Sequence, residues 1–194
     1  EWGPKGNSTE NMLLHGSISG NVQLLDWNKD DVDTVYAPIK GINRVCTEVA
    51  WNSTSINLVA ASFAKVKNEV CAFVWDLERN RQQPIYRASQ DPSSSISWLP
   101  MEKQLLVVGT FTGYIRLFEL GTGKKNDIAS IMAYKKTGSK SRGITVRTSP
   151  HDTHILDTFT TTPGDAVKIW DLRKPDTSVS SYKLNQSAAI LPSM

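Results

Sequence analysis

The sequence has few of the features that mark secreted, disulfide-bonded or membrane-spanning proteins. It contains two cysteines among 194 residues, Cys46 and Cys71, and both lie in apolar runs where cysteine commonly behaves as a small buried hydrophobe. Such sparse cysteine favours a reducing compartment. No stretch approaches the roughly 20 apolar residues that cross a bilayer, and the opening residues EWGPKGNSTE contain no apolar signal-peptide segment.

An excess of charge of one sign is also missing. The 22 basic and 19 acidic residues leave a formal net charge of +3, which is a small surplus for a protein that binds nucleic acid through a basic face. We therefore expect no nucleic-acid partner. The chain does not begin with methionine, and we interpret its start as a cut point inside a longer protein.

Four short apolar segments repeat along the chain, and each carries an acidic residue near its end. They are NVQLLDW at 21–27, VCAFVWDLE at 70–78, YIRLFELG at 114–121 and AVKIWDLRK at 166–174. Consecutive acids of the four segments lie 50, 43 and 52 residues apart. A period of about 40–45 residues, lengthened by loop insertions, is typical of β-propeller blades.

A second similarity lies upstream of three of these segments, where a strand, a polar turn and another strand recur. Trp51 precedes Phe63 by 12 residues, Trp98 precedes Phe111 by 13, and Arg147 precedes Phe159 by 12. The inner runs are continuously apolar, as expected for strands that are covered on both faces. The sequence therefore predicts an all-β fold, an incomplete propeller of about four blades, each a four-stranded antiparallel sheet.

We assign the whole chain, 1–194, to this partial propeller. The expected blades span approximately 11–40, 44–88, 94–135 and 143–185, and 186–194 resembles the start of a further blade. The first blade is expected to lack a well-formed first strand. Because an incomplete ring exposes apolar faces at both ends, we expect pairing with a second copy, as a homo-oligomer, or with blades supplied elsewhere. Closure into a small four-bladed ring is the alternative.

The Trp-Asp and Phe-Glu strand endings resemble those of WD-repeat proteins. The stretches CTEVAWNSTSINLVAASF at 46–63, SWLPMEKQLLVVG at 97–109 and AVKIWDLRK at 166–174 are similar to the missing oocyte (Mios) family. The resemblance implies a non-catalytic scaffold in a subunit of the second GATOR complex, the SEA complex of yeast, upstream of TOR signalling. It also implies WD-repeat subunits and amino-acid sensor proteins as partners, and a cytoplasmic location, peripheral to the lysosomal or vacuolar membrane.

No catalytic, cofactor-binding or metal-ligating set emerges from the residues. The Gly121–Lys124 turn lacks the first glycine and the hydroxyl residue of a phosphate loop. The His151–His154 cluster falls in an expected turn, which is a simpler reading than a metal site with three or four ligands. The candidate partner-binding element is a basic loop, which we expect either to be solvated or to contact an acidic protein surface or lipid headgroups. Its basic residues are Lys135, Lys136, Lys140 and Arg142.

Other interpretations remain open at this stage. A generic WD-repeat substrate receptor, such as a ubiquitin ligase adaptor, would share these blades. A propeller hydrolase requires convergent carboxylates or a metal on the innermost strands, and the sequence indicates neither. Trp2 and Trp27 are either interface anchors or the core of a missing blade.

Overall fold

The structure is a computed structural model. It describes residues 1–6, 9–29, 31–36, 44–64, 70–79, 83–100, 104–120, 127–134, 143–160 and 165–183. Within these residues the chain forms 15 strands and no helix. The strands are β1 (Met12–Gly16), β2 (Val22–Asp26), β3 (Asp31–Tyr36), β4 (Cys46–Trp51), β5 (Leu58–Phe63), β6 (Ala72–Asp76), β7 (Tyr86–Arg87), β8 (Ser93–Trp98), β9 (Leu105–Thr110), β10 (Tyr114–Glu119), β11 (Asp127–Met132), β12 (Ile144–Thr148), β13 (Ile155–Thr160), β14 (Ala166–Asp171) and β15 (Ser180–Lys183).

The strands form four antiparallel sheets that follow one another along the chain. Sheet 1 has three strands (β1-β2-β3), whereas sheet 2 (β4 to β7), sheet 3 (β8 to β11) and sheet 4 (β12 to β15) have four, each in sequence order. The prediction of an all-β, incomplete propeller is confirmed, with sheet 1 one strand short. Among the described residues, no helix is long and apolar enough to span a membrane. Residues 186–194, the expected start of a further blade, lie outside the described part.

Stacking of the sheets explains the continuously apolar runs. All six residues of β5 and all six of β9 are buried. Alternate residues of a strand face opposite sides of its sheet, so one half of each strand packs on the preceding sheet and the other half on the following one. Val59 and Trp75 pack towards sheet 1, while Ala60 and Val74 pack towards sheet 3.

In three of the four sheets, the recurring acid at the end of a strand builds the turn that follows. In three repeats its Oδ1 accepts the backbone N–H two residues further on, at 2.9–3.0 Å: Asp26 from Asn28, Asp76 from Glu78 and Asp171 from Arg173. This is the Asx turn, which aspartate supports through its short side chain. The Arg173 guanidinium also bonds this carboxylate, and together these contacts lower the pKa of Asp171 to about 2. The recurring acid therefore has a structural cause.

The strand registers revise the sequence alignment of the phenylalanines. The recurring acid of sheets 2, 3 and 4 pairs with Leu58, Leu105 and Ile155, respectively, so these three residues are equivalent. Phe63 lies five residues beyond Leu58, but Phe159 lies only four beyond Ile155. The alignment by residue identity was thus out of register, and a shift of one residue moves a side chain to the other face of the sheet. Phe159 occupies the position of Ser62 in sheet 2 and of Gly109 in sheet 3.

A buried side-chain hydrogen bond joins β14 to β13 in sheet 4. In sheet 4 the Trp170 indole N–H donates to the Thr158 hydroxyl at 2.9 Å, and both side chains are buried. Neither cysteine forms a disulfide, and burial raises the pKa of the Cys46 thiol to about 12.

Candidate functional site

The first strands of sheets 2, 3 and 4 lie side by side and line a groove. Here β8 packs between β4 and β12, and a cavity of about 680 Å³ opens where these innermost strands end. Its walls include three equivalent turn residues, Ser53, Pro100 and Pro150, together with side chains from each innermost strand. The groove brings side chains of three sheets to one cavity, which makes it a candidate site.

Hydrogen bonds across the groove join each innermost strand to the next. The Ile96 N–H donates to Glu48 Oε2 at 2.9 Å, and the Val146 N–H donates to Ser95 Oγ at 2.9 Å. Glu48 and Ser95 hold the same position, three residues before Trp51 and Trp98 in their strands. The two bonds are therefore repeats of one contact between neighbouring sheets.

Two carboxylates and one guanidinium line the cavity. Arg147 Nη1 lies 2.8 Å from Glu48 Oε1, so this ion pair links sheet 4 to sheet 2. Glu1 Oε2 accepts the Trp51 N–H at 2.8 Å. Burial raises the pKa of Glu1, the Trp51 hydrogen bond opposes that effect, and the nearby Glu48 charge adds to it.

Two carboxylates that the sequence does not place together, those of Glu1 and Glu48, line this one cavity. Glu1 and Glu48 are far apart in sequence, and only the stacking of the sheets places them on one cavity. Both Glu48 oxygens are engaged, one by a backbone N–H and one by Arg147. These contacts tie sheets together, which is a structural role. Across the residues with a described position, no group of three or more His, Cys, Asp or Glu is placed to hold a metal ion.

Of the candidate residues that the sequence suggests, the structure describes the histidine cluster but not the basic loop. Lys135, Lys136, Lys140 and Arg142 lie outside the described residues, as does Gly121–Lys124. In the histidine cluster, the Asp152 carboxylate accepts the His154 N–H at 2.9 Å and the Ser149 hydroxyl accepts the His151 N–H at 3.2 Å. The polar side chains of this segment therefore shape the turn between β12 and β13.

Sheet 1 leaves a row of apolar side chains uncovered. Trp2 pairs with Leu13, Leu13 with Leu25, and Leu25 with Val32. Trp2 is 52% exposed, and its ring meets that of the 69% exposed Trp27 edge-on at 5.7 Å. We call this surface face 1; it comprises Trp2, Leu13, Leu25, Trp27 and Val32.

Face 1 corresponds to a surface that is buried in the other sheets. Trp2 bridges Leu13 as Trp51 pairs with Val59 in sheet 2. The equivalent row in sheet 2 (Trp51, Val59 and Trp75) is at most 4% exposed because sheet 1 covers it. The tryptophans of sheet 1 are thus part of an inter-sheet surface that lacks its neighbour in the described structure.

Sheet 4 leaves the opposite surface uncovered. We call it face 4; it comprises Ile155, Asp157, Phe159, Val167 and Ile169, all half-buried. The equivalent residues of sheet 3 are all buried, because sheet 4 covers that side of sheet 3. They are Leu105, Val107, Gly109, Ile115 and Leu117. Desolvation raises the pKa of Asp157, with Arg147 opposing the shift.

Comparison with known proteins gives GATOR2 complex proteins and a WD repeat-containing protein among the relatives. No protein-family model matches the chain. It is 25% identical over 215 residues to the GATOR2 complex protein MIOS of Danio rerio, an alignment that covers 95% of this chain and 23% of that protein. It is 26% identical over 141 residues to the GATOR2 complex protein WDR24 of Xenopus laevis, covering 70% of this chain and 16% of that protein.

A WD repeat-containing protein of Dictyostelium discoideum is 28% identical over 144 residues, or 70% of this chain and 7% of its own length. The chain thus spans less than a quarter of the length of the curated relatives that it matches. The stacked four-stranded sheets, the turn-building acids and these alignments agree with one another. Curated homologues of this chain are GATOR2 complex proteins of the WD-repeat class.

Proposed function

We propose that the chain is a non-catalytic scaffold, a propeller segment that offers binding surfaces to other subunits of a GATOR2-type complex. The observation that carries this proposal is the alignment of 95% of the chain with a GATOR2 complex protein on a fold of stacked sheets. The groove supports it, because the Glu48 carboxylate and Arg147 are used in contacts between sheets. A rigid stack with uncovered surfaces suits a protein that holds others together.

The finer part of the proposal concerns the pathway. We place the protein upstream of TOR signalling, with WD-repeat subunits and amino-acid sensor proteins as partners, at the lysosomal or vacuolar membrane as part of a complex. The basic loop of Lys135, Lys136, Lys140 and Arg142 is the proposed contact with an acidic protein surface. Four cations in eight residues form the densest positive patch of the chain, and such patches favour acidic partners.

Affinity capture of the tagged protein from its own cells, followed by quantitative mass spectrometry, tests the scaffold role. We expect WD-repeat proteins related to GATOR2 subunits among the enriched proteins. Recovery of ubiquitin ligase components in their place would support the substrate-receptor alternative. Absence of every WD-repeat subunit at normal expression would contradict the proposal.

The loop is tested in the same experiment with a charge-reversal variant. Replacing Lys135 and Lys136 by Glu is expected to reduce recovery of the partners severalfold, since like charges would face each other at the contact. Lys174→Glu is the control, because it reverses a charge at an exposed position that is not part of the loop sequence. Equal recovery with all three proteins would remove the loop from the interface and leave the scaffold role intact.

A further inference from the structure

We infer that residues 187–192 of this chain form an innermost strand that packs along β12 and adds a further wall to the groove. This segment lies outside the described residues, and its place follows from its sequence and from contacts that the described sheets repeat. The segment covers face 4 at its Phe159 end. The inference does not depend on the proposed scaffold function.

The segment matches the innermost strand of sheet 3 position by position. Its sequence, Ser-Ala-Ala-Ile-Leu-Pro, aligns with Ser-Ile-Ser-Trp-Leu-Pro at 95–100, and three of the six residues are identical. In sheet 4, residues 145–150 read Thr-Val-Arg-Thr-Ser-Pro. All three runs begin with a hydroxyl residue, continue with an apolar one and end with proline in the sixth place. The segment therefore has the spacing that these two innermost strands share.

A hydrogen bond that recurs between neighbouring innermost strands gives the register. The Ile96 N–H donates to Glu48 Oε2, and the Val146 N–H donates to Ser95 Oγ, both at 2.9 Å. The Ser95 hydroxyl also donates to the Ile144 carbonyl oxygen at 2.9 Å. One side chain of the preceding strand thus holds two backbone groups of the next strand.

Thr145 is the residue of sheet 4 in the Ser95 position, and it is half-buried. A threonine hydroxyl can accept one hydrogen bond and donate another, as a serine hydroxyl does. In the register given by the sequence match, Thr145 Oγ1 accepts the Ala188 N–H and donates to the Gln186 carbonyl oxygen. The third junction between innermost strands then repeats the second.

The sizes of the facing residues agree with this packing. A Cβ added at Gly109 of sheet 3 would lie 2.3 Å from the carbonyl oxygen of Ile144, two residues before Val146. Sheet 4 has the large Phe159 in the Gly109 position. The segment has the small Ala188 in the position of Val146. A larger residue on one side is thus matched by a smaller one on the other, as close packing requires.

This strand continues the wall of the groove. Ala50, Ser97 and Arg147 hold one position in sheets 2, 3 and 4, and all three line the cavity. Ala189 takes that position in the segment, and Pro192 continues the row of turn residues at the rim. The segment contains no charged residue, so the added wall is uncharged beside Arg147.

Amide exchange of Ala188, measured by NMR on the purified chain, tests the hydrogen bond. We expect this amide to exchange severalfold more slowly than in an unstructured peptide of the same sequence. Thr145→Val should remove most of that protection because it deletes the acceptor. Thr177→Val is the matched control, since it deletes a hydroxyl at an exposed position in another turn. The dispersion of the other amide signals establishes that each variant is folded.

Two results of this exchange experiment would overturn the inference. The first is exchange of the Ala188 amide at the rate of the free peptide. The second is protection that Thr145→Val leaves unchanged, because another group would then hold the amide.

A double-mutant cycle tests the contact between Ala188 and Phe159. Ala188→Ile should lower the midpoint of thermal unfolding by several degrees, because it overfills the space beside the phenylalanine. Phe159→Ser should remove most of that loss, since sheet 2 has Ser62 at this position. Equal effects of Ala188→Ile in both backgrounds would show that the two residues do not touch, and the proposed packing would be wrong. Should Phe159→Ser fail to fold, Phe159→Leu is the milder change, with a partial rescue expected.

Discussion

Glu48 uses one carboxylate for two contacts between sheets. One oxygen accepts the N–H of Ile96, a residue that is 2% exposed, and the other meets Arg147 from sheet 4. The two contacts differ in how much they contribute to the free energy of unfolding. A buried N–H that loses its acceptor costs its full desolvation, whereas an ion pair with a half-exposed arginine is screened by solvent. The hydrogen bond to the backbone is therefore the stronger link.

This difference predicts the rank of three variants in urea unfolding. Glu48→Ala should lower the free energy of unfolding by about 1–3 kcal/mol, since the Ile96 N–H remains buried without that acceptor. Arg147→Ala should lower it by about 0–1 kcal/mol. Glu48→Gln keeps a carbonyl oxygen for the N–H and should fall between them. A loss for Arg147→Ala as large as that for Glu48→Ala would show that the ion pair, not the hydrogen bond, holds the sheets.

At the scale of the element, the repeated acid controls the turn after a strand. Asp76 is 6% exposed; its Oδ1 accepts the Glu78 N–H and the Asn57 side-chain N–H at 2.9 and 3.0 Å. It therefore closes the turn and also ties it to the preceding loop. The Asp26 and Asp171 carboxylates make the same backbone contact.

Replacement of Asp76 tests this role of the acid. Asp76→Ala removes the acceptor for two N–H donors, so we expect a loss of about 1–3 kcal/mol in the free energy of unfolding. Asp76→Asn keeps Oδ1 and should lose less. Thermal unfolding of both variants beside the wild-type chain gives the comparison. If Asn and Ala had the same effect, the negative charge, and not the Asx geometry, would be what the turn needs.

The elements were predictable from the sequence to the extent that local pattern determines them. The apolar runs and the repeated acid gave the strands and their stacking, because burial on both faces leaves a readable signature. Local pattern does not determine the strand register. Alignment by residue identity pairs Phe159 with Phe63, although the two side chains lie on opposite faces of their sheets. Trp2 was not assigned to a strand, yet Trp2-Gly3-Pro4 resembles Trp98-Leu99-Pro100 and shares its position.

The groove was beyond prediction because it depends on contacts between sheets. Glu48 and Arg147 lie in repeats that are not consecutive, and neither residue carries a motif. Their meeting requires the curvature of the stack, which a single repeat does not encode. Uncovered faces at the two ends are predictable, since any open propeller has them, whereas the residues that form them follow only from the strand registers.

At the scale of the whole molecule, the four sheets form a stack in which each contacts its neighbours. In proteins built as such a stack, the free energy of unfolding is close to the sum of each sheet's own stability and the contributions of the interfaces between neighbouring sheets. Sheets 2 and 3 have two interfaces, while sheets 1 and 4 have one. The burial pattern agrees: β5, β6 and β9 are buried throughout, whereas β13 and β14 are largely half-buried.

Amide hydrogen exchange should therefore be slowest in the middle of the stack. We expect β5, β6 and β9 to exchange only through global unfolding, and β1, β13 and β14 to exchange faster, through local opening of the end sheets. Mass spectrometry of peptic peptides measures both groups in one sample. Equal rates in all four sheets at low concentration would show that the stack opens as one unit.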